Sequence, residues 1–240
     1  MNDCWPCTSW SIVDFFLRPK LAWYAVSREL RPITFGISRI TQFKEPVLLP
    51  QPPDSTDSEA KTKEVHSMPH AYGEKTTNVD IWGVNSTLKN HEISATIQFF
   101  EISSGKKIFE HKKKVSLSSN SSTEIATFDL TKYNPADLVV SVLFINPSGK
   151  VLRSSADWPQ PLKYVDFSKR EVSVRVEGEF VSLKATKPIK AVMLDIEGDD
   201  DSGLEWSDNG FDIMPDEGVK VIAKGLRGRK PIVNWYRSNS

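Results

Sequence analysis

Two cysteines and a run of acids are the first candidates for chemistry. Cys4 and Cys7 stand in C-x-x-C spacing and are the only cysteines of the chain. That spacing makes a redox site only in a βαβ context whose helix starts inside the motif, and a structural zinc needs four ligands. The four histidines, His66, His70, His91 and His111, are not arranged to complete such a set. Two small buried or half-buried thiols without a redox or metal role are expected, and the count excludes a disulfide framework.

From Asp195 to Glu217 the chain carries ten acidic side chains and neither Lys nor Arg: Asp195, Glu197, Asp199, Asp200, Asp201, Glu205, Asp208, Asp212, Asp216 and Glu217. An EF-hand loop alternates acids around a central Gly and ends on a Glu, whereas Asp199, Asp201, Gly203 and Glu205 are too compressed for that. A calcium site of another kind is one reading. Solvated acidic turns between strands are the preferred one, and no metal or other cofactor is expected. The basic run that follows, Lys220, Lys224, Arg227, Arg229 and Lys230, would neutralise these turns from adjacent strands.

Other motifs add little. Asn85-Ser86-Thr87 and Asn120-Ser121-Ser122 are glycosylation sequons, relevant only to a secreted protein. Trp82, Trp158, Trp206 and Trp235 are candidates for stacking on sugar rings, with packing the simpler role. No Ser-His-Asp set, glycine-rich phosphate loop or HExxH run occurs. No spacing singles out the facing carboxylates that glycoside hydrolysis requires.

The elements that must carry these residues follow from periodicity. Pro19 suits a first helical turn, Trp23, Val26 and Leu30 fall on one apolar stripe, Arg28 and Arg31 suit the helix C-terminus, and Pro32 stops the helix. So short a helix needs a partner for its apolar face, either the sandwiches behind it or something outside this chain. Ile33–Ile40 alternates as a strand. The Pro- and polar-rich stretch 45–78 lacks the apolar content to offset chain ordering and is expected to be a disordered insertion.

From Val79 short strands follow quickly. They are Val79–Asn85, the Ile93/Ala95/Ile97/Phe99 face, Lys107–Leu117, Thr123–Leu130, the nearly continuous apolar run Leu138–Ile145, and Lys150–Asp157 after the Asn146-Pro147-Ser148-Gly149 turn. Trp158-Pro159-Gln160-Pro161 marks a boundary. The pattern then restarts at Val172/Val174/Val176, Phe180–Ala185, Val192/Leu194/Ile196, Val219/Val221 and Ile232–Tyr236. Such strands build sandwiches.

Bulk properties narrow the function classes. Apolar residues make up 39% and charged residues 26% of the chain, which suits a soluble globular protein. Lys plus Arg and Asp plus Glu are 31 each, so no net field attracts nucleic acid or a membrane surface. No apolar run is long enough for a transmembrane helix. Met1-Asn2-Asp3 carries no positive charge of the kind that opens a secretory signal.

The N-terminal residues are more specific than composition suggests. Asn2-Asp3-Cys4-Trp5-Pro6-Cys7, Ser9-Trp10, Asp14-Phe15-Phe16 and Arg18-Pro19-Lys20 resemble the last barrel strand and final helix of β-mannosidases of glycoside hydrolase family 2, most of all the filamentous-fungal type B enzymes. The resemblance continues at Arg28-Glu29-Leu30-Arg31-Pro32, Ile81–Leu88, Leu194–Gly198 and Trp206–Asn209, and covers nearly all of the chain outside the insertion.

It implies a mainly β fold of two Ig-like β-sandwich domains preceded by a remnant, the last strand and helix, of a (β/α)8 barrel. The divisions are 1–31, 32–166 with the insertion near 45–78, and 167–240. For the full-length family it implies a retaining glycosidase that removes terminal non-reducing β-D-mannose from a mannose-containing oligosaccharide or glycan, and an intracellular one. The family's two catalytic glutamates have no match here, so no catalytic residue is assigned and the chain alone is expected to be inactive. Only Asn2, Asp3 and Trp5 match positions near the sugar, as substrate contacts or, preferably, as barrel-end packing. The other reading is a free-standing carbohydrate-binding or adhesion-type sandwich. Neither reading involves nucleic acid or a membrane.

Overall fold

The computed structural model describes residues 2–6, 9–43, 75–198 and 203–238. The fold is mainly β. Its single α-helix among the described residues, α1 (Leu21–Glu29), follows Pro19 and ends before Pro32. The Leu30 amide closes its last turn on the Val26 carbonyl at 2.9 Å. Ahead of α1 the chain is held by isolated bridges. Asn2 pairs with Val13 in parallel, and Val13 pairs with Pro19 antiparallel. The Asp3 amide donates to the Val13 carbonyl and the Lys20 amide to the Ile12 carbonyl, both at 3.0 Å.

Two sheets then face each other. One is β1 (Ile33–Phe43), β2 (Lys75–Asn85) and β5 (Ser121–Asp129), in the order β1-β2-β5. The other is β3 (His91–Glu101), β4 (Lys107–Leu117), β6 (Leu138–Ile145) and β7 (Val151–Asp157), in the order β4-β3-β6-β7. All pairings are antiparallel. The alternation in β3 does what a period of two requires: Ile93, Ala95, Ile97 and Phe99 are all buried against Val79, Ile81, Val140, Val142 and Phe144. Each such side chain removed from water stabilises the fold by about 1.5–3 kcal/mol. The continuous apolar run of β6 has the same cause as its position, since it lies between β3 and β7 and is buried on both faces over most of its length.

Gly36 shows how tightly the first sheet is built. Its register partner is Trp82, and a Cβ at residue 36 would lie 2.1 Å from the Trp82 ring. The ring therefore covers the glycine backbone.

The second sandwich repeats the scheme with shorter strands. β8 (Val172–Glu177), β9 (Phe180–Ala185), β11 (Glu205–Trp206) and β13 (Val219–Lys224) form one sheet in the order β11-β13-β9-β8. β10 (Ile189–Ile196), β12 (Phe211–Ile213) and β14 (Pro231–Asn234) form the other in the order β12-β10-β14. Val181, Leu183, Val192, Leu194, Ile213 and Val221 fill the space between them. A third apolar cluster joins the halves, with Phe100, Ile102 and Val139 meeting Trp158, Val165, Phe167 and Met214.

Three expectations change. β2 starts at Lys75 rather than Val79, so residues 75–78 of the expected insertion belong to a strand. Thr77 there is buried, its hydroxyl 3.1 Å from that of Thr41. The rest of that insertion, 45–74, lies outside the described residues. The acidic stretch is more than turns: it contains β11 and β12, with Phe211, Ile213 and Met214 buried. The helix stripe faces outward. Trp23, Val26 and Leu30 are exposed, while Tyr24 is the buried side chain of α1.

Candidate functional site

Polar side chains converge in two places. The first is the N-terminal segment, which carries the three residues singled out as substrate contacts. The bridges to Val13 turn Asp3 inward, where it is buried. Ser9 Oγ donates to Asp3 Oδ1, and Lys20 Nζ lies 2.7 Å from Asp3 Oδ2. The hydrogen bond from Lys20, followed by that from Ser9, holds the Asp3 carboxyl below the usual carboxylate range. Asp3 is thus an anchor between the segment and the approach to α1. Asn2 and Trp5 are exposed. The three residues are neighbours in sequence, but only two present side chains outward.

The same segment exposes an unusual amount of apolar surface. Trp10 is fully exposed, Leu30 is 77%, Trp5 74%, Leu17 70% and Phe16 63% exposed. Cys4 is an exposed free thiol; its partner in the C-x-x-C spacing, Cys7, lies outside the described residues. Among the described residues no three His, Cys, Asp or Glu side chains converge on a point that could hold a metal, and no helix is long and apolar enough to cross a membrane.

The second place is a cleft of about 560 Å³ where α1, β7 and the 208–220 stretch meet. Arg28 reaches from α1 to the Asp208 carboxylate and donates to the carbonyls of Asn209 and Gly210, both at 2.9 Å. Asn209, itself buried, fixes that loop by accepting from the Leu194 amide and donating to the Leu194 carbonyl. From the first sandwich, the buried Arg153 donates to Glu29 of α1 and lies 5.6 Å from the centre of the Phe35 ring. Burial lowers the Arg153 pKa from its usual value, against the pull of Glu29.

Glu217 crosses the junction in the other direction and accepts from Ser141 Oγ at 3.2 Å and Ser154 Oγ at 3.3 Å. Desolvation in the junction raises its carboxyl above the ordinary range. Asp212 accepts from the Trp158 indole at 2.8 Å, from the Ala191 amide at 2.9 Å and from Lys190 at 3.1 Å. Every carboxylate named here has a partner. The arrangement fastens three parts of the chain together.

Two residues of the basic run meet acids, while Lys220 lies over the Phe180 ring and Arg229 donates to the Leu226 and Gly225 carbonyls. Lys224 lies 3.0 Å from its register partner Glu205, and Lys230 lies 3.8 Å from Glu197. The four tryptophans are packing residues. Trp158 is buried, Trp82 covers Gly36, and Trp206 and Trp235 lean on the second core. Of the sequons, Asn85 is buried. Its amide nitrogen lies 2.8 Å from the Lys89 carbonyl and 3.0 Å from those of Leu117 and Ser118. Asn120 is exposed, in a turn at φ 48°.

Arg153 was not among the residues singled out in the sequence, and Glu217 was named only within the acidic run. A lone arginine inside the short strand Val151–Asp157 was the only trace of the first, and Glu217 was one acid among ten.

Comparison with known proteins places this arrangement. Residues 77–164 match the family model described as Mannosidase Ig/CBM-like domain. The chain is 32% identical over 234 residues to Beta-mannosidase B of Thermothelomyces thermophilus, covering 93% of this chain and 25% of that protein. It is also 32% identical over 239 residues to Beta-mannosidase B of Aspergillus clavatus, again covering 25% of it. The chain thus spans about a quarter of the length of the curated relatives it matches. Among solved structures, the β-D-mannosidase of Dictyoglomus thermophilum superimposes with a TM-score of 0.70 at 20% identity, over 98% of this chain and 25% of that one. The exo-chitosanase CsxA of Amycolatopsis orientalis does so with a TM-score of 0.56 at 14% identity. At these identities the two structures speak for the fold alone.

Proposed function

We propose, from the premise that this chain corresponds to the C-terminal part of a glycoside hydrolase family 2 β-mannosidase of the fungal B type, that it is the non-catalytic support of an enzyme releasing terminal β-D-mannose from the non-reducing ends of glycans. The retaining route of such enzymes needs two glutamates across one sugar. Nothing in this chain matches them, and the chain alone turns nothing over. Residues 1–31 supply the closing strand and helix of the catalytic barrel. Residues 32–166 and 167–240 form the two Ig-like sandwiches behind it. Asn2 and Trp5 finish the barrel's end, with Asp3 locking them to Lys20.

One observation carries this reading. The N-terminal segment is anchored to the sandwiches on one side, through Tyr24, Arg28 and Glu29, and on the other exposes Trp5, Trp10, Phe16, Leu17 and Leu30 to solvent. So many large apolar side chains are rarely left uncovered on a soluble protein, and a barrel wall is the cover the relatives' remaining length supplies. A free-standing sandwich protein would instead leave that apolar surface uncovered.

Two measurements test the reading. Purified chain incubated with an aryl β-mannoside should show no release of the aryl group, and saturable turnover would overturn it. Joined to the first three quarters of the Thermothelomyces thermophilus relative in place of that enzyme's own last quarter, the chain should give a soluble, active hybrid. An inactive hybrid with both parts folded would also count against the reading.

A further inference from the structure

The junction cleft has a property that the anchoring role does not explain. Arg153 is 3% exposed, and its Nε carries a buried N–H with no partner among the described residues. The rest of its guanidinium is committed, to Glu29 and to the Ser154 carbonyl at 3.1 Å. A buried charged donor left unpaired costs the protein its desolvation energy, so such a group marks a place where an acceptor is missing. This one lies where two hollows meet. The cleft of about 560 Å³ and a neighbouring one of about 340 Å³ share Glu29, Arg153, Ser155, Ala156 and Lys190 as lining. Both volumes are in the range of small-molecule sites.

The lining narrows the ligand class. Five cations (Arg28, Arg31, Arg153, Lys190, Lys220) stand against four acids (Glu29, Asp208, Asp212, Glu217), so a strongly charged ligand gains little. Ser155 adds a hydroxyl that can donate and accept, and Ser154, whose proton goes to Glu217, adds one that can accept. A group that both donates and accepts, repeated around a small ring, satisfies such a surface.

We infer that the cleft binds a neutral sugar of one or two rings, a ligand hydroxyl accepting from Arg153 Nε. The site is built from both sandwiches and α1 and relies on polar contacts rather than aromatic stacking. The choice of mannose as the ring rests on the function proposed above; the site itself does not.

The test is a titration of the isotopically labelled 240-residue chain with β-1,4-mannobiose, with cellobiose and inorganic phosphate in parallel, following backbone amides by NMR. Saturable shifts at Ser154, Ser155 and Lys190 with mannobiose are expected. Cellobiose acting alone at those amides would keep the site but remove its link to mannosides, and so count against the functional reading only. Shifts from phosphate without any from sugar, or no sugar shifts at millimolar concentration, would overturn the inference.

Two variants sharpen the test. Arg153→Lys removes the Nε donor and should weaken binding about tenfold or more. Ala25→Trp, at an exposed helix position lining the cleft, should block it with the unfolding temperature unchanged. Undiminished binding in a folded Ala25→Trp would place the sugar elsewhere and overturn the inference.

Discussion

Arg28 and Asp208 form an ion pair across 180 residues of sequence, and this pair ties the only described helix to the second sandwich. The Arg28 side chain is 13% exposed, and its other bonds go to backbone carbonyls of the same loop. Helix α1 therefore owes its position more to a polar clamp than to its apolar stripe. Removing the clamp leaves Asp208 and two carbonyls without their donor. Arg28→Ala should lower unfolding free energy by about 2–4 kcal/mol, read by urea denaturation. Hydrogen exchange should speed up across Leu21–Glu29 before it does so in β3 or β6. Equal acceleration everywhere would contradict a local clamp.

Glu217 predicts a pH dependence. Its folded-state pKa is raised, by burial first, above the ordinary value of 4.5. As pH rises through 4.5 the unfolded chain gives up this proton first, so folding becomes progressively less favourable until the folded-state pKa is passed. Above that the penalty is constant. Glu217→Gln keeps an oxygen to accept from Ser141 or Ser154 and carries no charge. It should raise stability by about 1 kcal/mol at pH 7–8 and change nothing at pH 4, measured as thermal unfolding at the two pH values. A gain at both would mean that the charge is not the cause.

Asn85 behaves as a structural amide. Its Oδ1 accepts from the Thr87 amide at 2.9 Å and from the Thr87 hydroxyl at 2.7 Å, while its Nδ2 serves three carbonyls. Asn85→Ala should cost about 2–4 kcal/mol, since several buried backbone groups lose partners at once. Expressed through a glycosylating host, the chain should carry glycan at Asn120 and none at Asn85, checked by peptide mapping. Occupied Asn85 in folded material would refute the buried placement.

Much of the fold was legible because burial leaves a period-two mark. Ile93, Ala95, Ile97 and Phe99 announced β3, and the unbroken run Leu138–Ile145 announced a central strand. The misses have physical causes. β11 and β12 are two and three residues long, too short for alternation to rise above the acids around them. On α1 the most apolar stripe was taken for the packed face, yet Tyr24 and Arg28 are what dock. Tyr24 is buried and its ring meets that of Trp23 edge-on at 5.1 Å between centres, while Trp23 stays exposed, so the buried face begins one residue past the stripe.

The candidate site was less legible. Asn2, Asp3 and Trp5 were singled out by resemblance alone, and that Asp3 turns inward to Lys20 depends on the bridges through Val13. The unpartnered Arg153 Nε depends on strands and a helix far apart in sequence, and no local pattern encodes it.

The register of β1 on β2 runs without a break from Ile33↔Asn85 to Phe43↔Lys75. The two strands are therefore side by side at Phe43 and Lys75, the last described residue before and the first after the stretch 44–74. A tight hairpin turn can replace those residues and close the same ladder. A folded cargo whose own ends lie close together can be carried at the same point, which makes this rim a natural attachment point for a reporter or an affinity tag on the sandwich.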